Sequence, residues 1–220
     1  MLDRIGDEKA RCTTVVEYQP HSKFPEHTHI GGEEFLVLKG TFHDQFGRFP
    51  EGTYVRNPIG SKHSPWVEED GCTILVKLLQ MADTKDLTEP LYIHTNQAKV
   101  DAGIATEFGT LLELYQNEIT GEHVQMLWID PEKVLPISQE AVDGGEELFI
   151  VNGSLQLTQE EVYAEWGWLR FPVGSDAYRS NLRAGKSGAQ VYRKMGHLTE
   201  KALGMEKIQI NDDETFRVLE

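Results

Sequence analysis

The chain repeats a frame of glycines and acids. Residues 31–40 read GGEEFLVLKG, and residues 144–153 read GGEELFIVNG. Farther on, residues 52–61, GTYVRNPIGS, are echoed by residues 167–175, GWLRFPVGS. Gly31 and Gly144 are 113 positions apart. That spacing is far longer than a solenoid repeat, so each copy can hold a core of its own. The 220 residues then divide into two related units, which we expect at 1–105 and 106–220.

The copies differ in chemistry. His27, His29, Glu33 and His63 surround the first frame. Glu140, Val142, Glu146 and Ala177 stand at the corresponding places in the second. One functional metal site and one degenerate copy follow from that contrast. His27 and His29 are two apart, and residues i and i+2 of a strand point to the same face. Gly31-Gly32 then lets the chain bend back before Glu33. His63 arrives later, after a turn at Pro58–Gly60. Three neutral imidazoles and a carboxylate suit Zn, Fe, Mn, Ni or Cu, and not Ca or Mg, which prefer shells of oxygen. Phe35 and Val37 share the parity of Glu33, which makes that face of the strand apolar. Glu34 points the other way, toward solvent or an ion pair. The other five histidines, His21, His43, His94, His123 and His197, lack such a frame, and His21 lies nearest to the cluster in sequence.

The architecture is legible as all-β. Segments 12–18, 35–42, 53–56 and 73–79 are rich in Val, Ile, Leu, Thr and Tyr, and turn formers punctuate them. Segments 110–115, 123–130, 148–157, 168–171 and 190–194 repeat the rhythm. Such spacing predicts barrels or sandwiches of short antiparallel strands. No long stretch has a 3.6-residue apolar period. Residues 83–101 read as the connection between copies, with Leu91-Tyr92-Ile93 available as an edge strand. Residues 208–210 and 216–219 are expected to pair with a sheet edge. Trp166, Trp168, Phe149 and Tyr163 read as core of the second copy rather than as a pocket lining.

Charge and cysteine usage exclude several functions. The net charge of −15 repels phosphate backbones, so no direct nucleic-acid contact is expected. No apolar run is long enough to span a bilayer, and the first residues lack the apolar core of a signal peptide. A cytoplasmic location is the resulting expectation. Cys12 and Cys72 are the two cysteines. They form no CxxC pair, which removes zinc-finger and thioredoxin-like chemistry.

The residues carry a resemblance. HTHIGGEEFLVLKG, residues 27–40, resembles the first motif of the cupin superfamily: HxH, three residues, Glu, six residues, Gly. GTYVRNPIGSKH, residues 52–63, resembles the second: Gly, five residues, Pro-x-Gly, two residues, His. The details FPEHTH, GGEEFLVLKG and YVRNPIGSKHSP are similar to the cupin-like domain of ChrR anti-sigma factors. The second copy matches loosely, through GGEELFIVNG and LRFPVGS. The resemblance implies two tandem cupin barrels, each a jelly roll, with one divalent transition metal inside the first on His27, His29, Glu33 and His63. Zn is the first expectation, and Fe, Mn or Ni the alternatives. His21 replaces the leading Gly of the first motif, and Val67 replaces the closing Asn of the second.

Two functions follow from the resemblance. The first is a regulatory module like the sensor half of ChrR, responding to reactive oxygen species at the His/Glu shell or at a thiol such as Cys72. Its partner would be a sigma factor or another regulatory protein. The sequence shows no helical zinc module with a CxxC pair, which is the sigma-binding part of such factors. The second is a non-haem metal-dependent dioxygenase with a small-molecule ligand. Four protein ligands close a tetrahedral site, so that chemistry needs a ligand to move or the coordination number to rise.

Overall fold

A computed structural model describes residues 1–5, 10–81, 87–175 and 181–199, together with the backbone of residues 208–210 and 216–218. The strands of the first half are β1 (Asp3–Ile5), β2 (Arg11–Tyr18), β3 (His27–Thr28), β4 (Glu33–Asp44), β5 (Gly47–Pro50), β6 (Thr53–Asn57), β7 (Lys62–His63), β8 (Cys72–Leu78) and β9 (Leu91–His94). Helix α1 (Thr95–Ala102) follows. Then come β10 (Ile104–Thr106), β11 (Gly109–Asn117), β12 (Glu122–Ile129), helix α2 (Gln139–Gly144), β13 (Glu146–Gln156), β14 (Val162–Ala164), β15 (Trp168–Phe171) and β16 (Arg183–Met195). The last strands are β17 (Ile208–Ile210) and β18 (Phe216–Val218).

The fold is all-β, with two jelly-roll units. One comprises Met1–His94 and Leu203–Glu220, the other Thr95–Ala202. In the first unit the sheet order is β1-β2-β8-β4-β6-β9, with β5 paired to β4, and β3 and β7 form a small sheet of their own. The second unit runs β10-β11-β12-β16-β13-β14, with β15 paired to β13. All pairs are antiparallel, so β2, β8, β4 and β6 correspond in order to β12, β16, β13 and β15. The Leu91-Tyr92-Ile93 triplet does form an edge strand, β9, on β6.

The repeated frame repeats because of sterics. Gly40 has φ +76°, and a Cβ there would lie 2.3 Å from the Gly71 carbonyl oxygen. Its counterpart Gly153 has φ +79°, with the Gly188 oxygen at 2.2 Å. Both positions demand a residue without a Cβ. Period-2 alternation then sorts the strands into faces. Phe35 and Val37 of β4 join Val55, Val67, Ile74 and Val76 in the interior of the first unit. Leu148 and Ile150 of β13 join Leu127, Leu169 and Val191 in the second.

On the outward face a charge ladder also repeats. Glu34 pairs across the sheet with Arg56 and Lys77, and Glu147 pairs with Arg170 and Lys194. Glu34 and Arg56 form a buried ion pair. Of the two fates expected for Glu34, the ion pair is the one realised, and water does not reach it.

Several sequence expectations are corrected here. The 208–210 and 216–218 strands pair with each other and form a two-stranded sheet, not an addition to a larger one. Helices α1 and α2 escaped the periodicity argument because they are only 8 and 6 residues long. Of the four aromatics assigned to the second core, Phe149 is buried and Tyr163 packs on the core, whereas Trp166 is exposed.

Candidate metal centre

Two short strands bring the histidines together. Strand β3 pairs with β7 in a register that sets His27 opposite His63. The turn leading into β7 is closed by the Gly60 amide donating to the His29 carbonyl at 2.8 Å and the His29 amide donating to the Ser61 carbonyl at 2.9 Å. The three rings therefore converge edge to face, with centroids 5.0 Å (His27–His29), 4.8 Å (His27–His63) and 4.6 Å (His29–His63) apart. Their ligand nitrogens lie within 4.8 Å of one another. Glu33, at the start of β4, borders this three-histidine group, with Oε2 3.5 Å from His29 Nε2 and 3.6 Å from His63 Nε2.

Outer contacts fix which nitrogen faces inward. Asp44 Oδ2 accepts from His63 Nδ1–H at 3.1 Å, which leaves the Nε2 lone pair for the cluster. The other Asp44 oxygen, Oδ1, accepts from the backbone amides of Phe46 at 2.7 Å and Gly47 at 3.2 Å. The Pro25 carbonyl does for His27 what Asp44 does for His63, accepting from Nδ1–H at 3.0 Å. Asn57 Nδ2 donates to Glu33 Oε2 at 2.9 Å and orients that carboxylate. Sequence reading missed both Asp44 and Asn57. An Asp followed by Gln-Phe-Gly signals a turn, but nothing in the spacing ties it to His63. His21 sits outside the cluster with φ 62°, the left-handed region that explains a glycine at this place in the cupin motif.

The residues fit a cation. His29 Nε2 is buried and has no hydrogen-bond partner, a costly state unless something else satisfies it. Desolvation lowers the His29 pKa to about 3, with the neighbouring His63 and His27 adding to the effect, so the ring stays a neutral donor. Burial pushes the Glu33 carboxyl up, while His63 and Asn57 pull it back. A positive ion at the focus of these atoms would pair with that carboxylate. Beside the cluster lies a cavity of ≈ 370 Å³, also lined by Tyr18, Phe24, Phe42, Ile30 and Leu79. Cys72 packs instead in the apolar interior, where burial raises its thiol to about 12. Such a thiol is a poor nucleophile.

Comparison with known proteins agrees with this geometry. Residues 1–82 match the family model of the ChrR cupin-like domain. Among solved structures, a protein from Nostoc punctiforme provisionally named a dioxygenase superposes with a TM-score of 0.60 at 15% identity, covering 86% of this chain and 70% of that one. The oxalate decarboxylase of Lactobacillus farciminis, solved as a formate complex, gives 0.55 at 12% identity, covering 90% and 84%. A cupin 2 conserved barrel domain protein from Leptotrichia buccalis gives 0.53 at 6% identity, covering 89% and 88%. No curated protein matches the sequence. The fold is that of a bicupin, two tandem cupin barrels.

The second unit of the bicupin shows what replaces the histidines. Helix α2, capped by Ser138 accepting from the Ala141 amide at 3.2 Å, stands where the first unit has its HxH strand. Glu146 keeps the position of Glu33, but Arg193 Nε donates to its Oε1 at 2.6 Å. By register Arg193 corresponds to Val76 of the first unit, since Lys194 faces Glu147 as Lys77 faces Glu34. A fixed guanidinium thus supplies the positive charge opposite the carboxylate. Ala177, the counterpart of His63, lies outside the described residues. Among the described residues the one group of three or more metal-ligand side chains is His27, His29 and His63. Among the described residues, no helix is long and apolar enough to cross a membrane.

Proposed function

We propose that the amino-terminal barrel binds one divalent transition metal through His27, His29, Glu33 and His63, and that the bicupin is a metal-dependent regulatory module responding to reactive oxygen species. The observation that carries the metal is the buried, partnerless Nε2 of His29 aimed among two imidazoles and a carboxylate. The ChrR match over residues 1–82 supports the regulatory role. A sigma factor or another regulatory protein is the corresponding partner. Zn is favoured, because four N/O ligands from the protein already complete a tetrahedral shell. With Cys72 raised and buried, the His/Glu shell is the place for an oxidant to act.

A second reading is a cupin-type dioxygenase, favoured by the cavity that opens directly on the ligand set. A redox-active Fe or Mn would there expand its coordination to take substrate and oxygen. Elemental analysis of unchelated protein tests both. One Zn per chain that does not turn over, released when oxidant is added, supports the regulatory module. One Fe with oxygen uptake supports the enzyme. Retention of metal by a His27→Ala/His63→Ala double variant refutes the site itself.

A further inference from the structure

The cavity beside the histidines contains a hydroxyl that the proposed metal shell does not use. Tyr18, the last residue of β2, lines the cavity together with His27, His29, Glu33 and His63. Phe24 and Phe42 clamp its ring edge-on, with centroids at 5.2 and 5.7 Å. Phe42 in turn leans on His63 at 5.9 Å. No described residue hydrogen-bonds the Tyr18 hydroxyl. A phenol that is mostly buried ordinarily finds a partner. Burial holds it in its neutral form, as a donor.

Charge and size narrow the ligand. A divalent ion with one carboxylate and three neutral imidazoles carries one net positive charge. No Lys or Arg lines the cavity, and Leu78, Leu79, Ile30 and Pro65 make its other walls apolar. One anionic head would neutralise the site. A dianion would leave an uncompensated charge in apolar surroundings, which is strongly unfavourable. The volume of ≈ 370 Å³ is at the small end of ligand pockets, about 300–1,000 Å³.

We propose that this cavity takes a monoanion with a small apolar body, its head joining the four protein ligands as a fifth ligand of the metal and accepting a hydrogen bond from Tyr18. The proposal rests on the metal site assigned above. The test uses the full chain loaded with Co(II), whose visible absorption reports on its ligands, titrated with benzoate, acetate, oxalate and imidazole. Benzoate is expected to shift the bands and to bind about 10-fold or more tighter than acetate or oxalate. Tyr18→Phe should weaken benzoate about 10-fold, the size of a hydrogen bond to a charged group. It should leave imidazole unchanged, because a coordinated neutral imidazole offers Tyr18 no acceptor. Equal benzoate binding by Tyr18→Phe and the unaltered protein overturns the role of Tyr18, and so does a parallel loss of imidazole binding. Oxalate binding as tightly as benzoate overturns the monoanion. Absence of any Co(II) bands fails the metal site itself, and the proposal with it.

Discussion

Replacing Asp44 by Asn changes one atom and should disable His63. The carboxylate serves two masters: Oδ1 takes the Phe46 and Gly47 amides, and Oδ2 takes His63 Nδ1–H. In Asp44→Asn the backbone amides hold the remaining oxygen on their side, so the new NH2 faces His63. A donor cannot meet Nδ1–H. Either the ring proton moves to Nε2, which removes the lone pair from the metal site, or the amide rotates and gives up two backbone hydrogen bonds. Those bonds contribute about 1 kcal/mol each, and leaving buried donors unmet adds to the loss. The cheaper route therefore costs about 2–3 kcal/mol, or roughly 100-fold in metal affinity. Asp44→Ala gives up the two backbone hydrogen bonds but leaves the ring free to keep its Nε2 lone pair, and should lose about 10-fold. Competition with a chromophoric chelator measures both. Equal affinity for Asp44→Asn and the parent protein, or tighter binding by Asp44→Asn than by Asp44→Ala, refutes the tautomer argument.

Four further outcomes are expected. The native protein should hold one metal per chain, and a His27→Ala/His63→Ala variant none, by elemental analysis; two equivalents in the parent would contradict the loss of the second site. Because the folded pKa of His29 is depressed to about 3 from about 6.5, its stabilising contribution is full above pH 6.5. It is lost progressively as pH falls toward 3, so the unfolding free-energy gap between the apo protein and His29→Gln should shrink by up to ~1.4 kcal/mol per pH unit; a flat gap in denaturant titrations would count against it. Gly60→Ala meets no atom within 4 Å at φ +82° and should cost only the left-handed strain of about 1–2 kcal/mol, whereas Gly40→Ala must displace the Gly71 backbone and should cost more; the two melting temperatures decide. Cys72, with its thiol near 12, should resist alkylation at neutral pH until the protein unfolds, and rapid native labelling would reopen the thiol route of oxidant sensing.

What sequence alone determined is substantial. The doubled frame, the alternating apolar segments and the turn formers were enough for two all-β units, because a strand's period and a glycine's steric need are local properties. The types and spacing of His27, His29, Glu33 and His63 point to a metal by themselves, since a two-residue step on a strand sets side chains on one face. Tertiary structure decided the rest. Asp44 meets His63 across 19 positions, Asn57 meets Glu33 across 24, and Arg193 meets Glu146 across 47. Those meetings are set by sheet register, which couples distant segments and leaves no local mark. The fate of Glu34 was hidden for the same reason: its partner Arg56 stands on another strand. The two terminal strands pair with each other, as consecutive elements commonly do. Helix α2 stands where the first unit has a strand, because a serine cap and six residues suffice for a helical turn that no periodicity reveals.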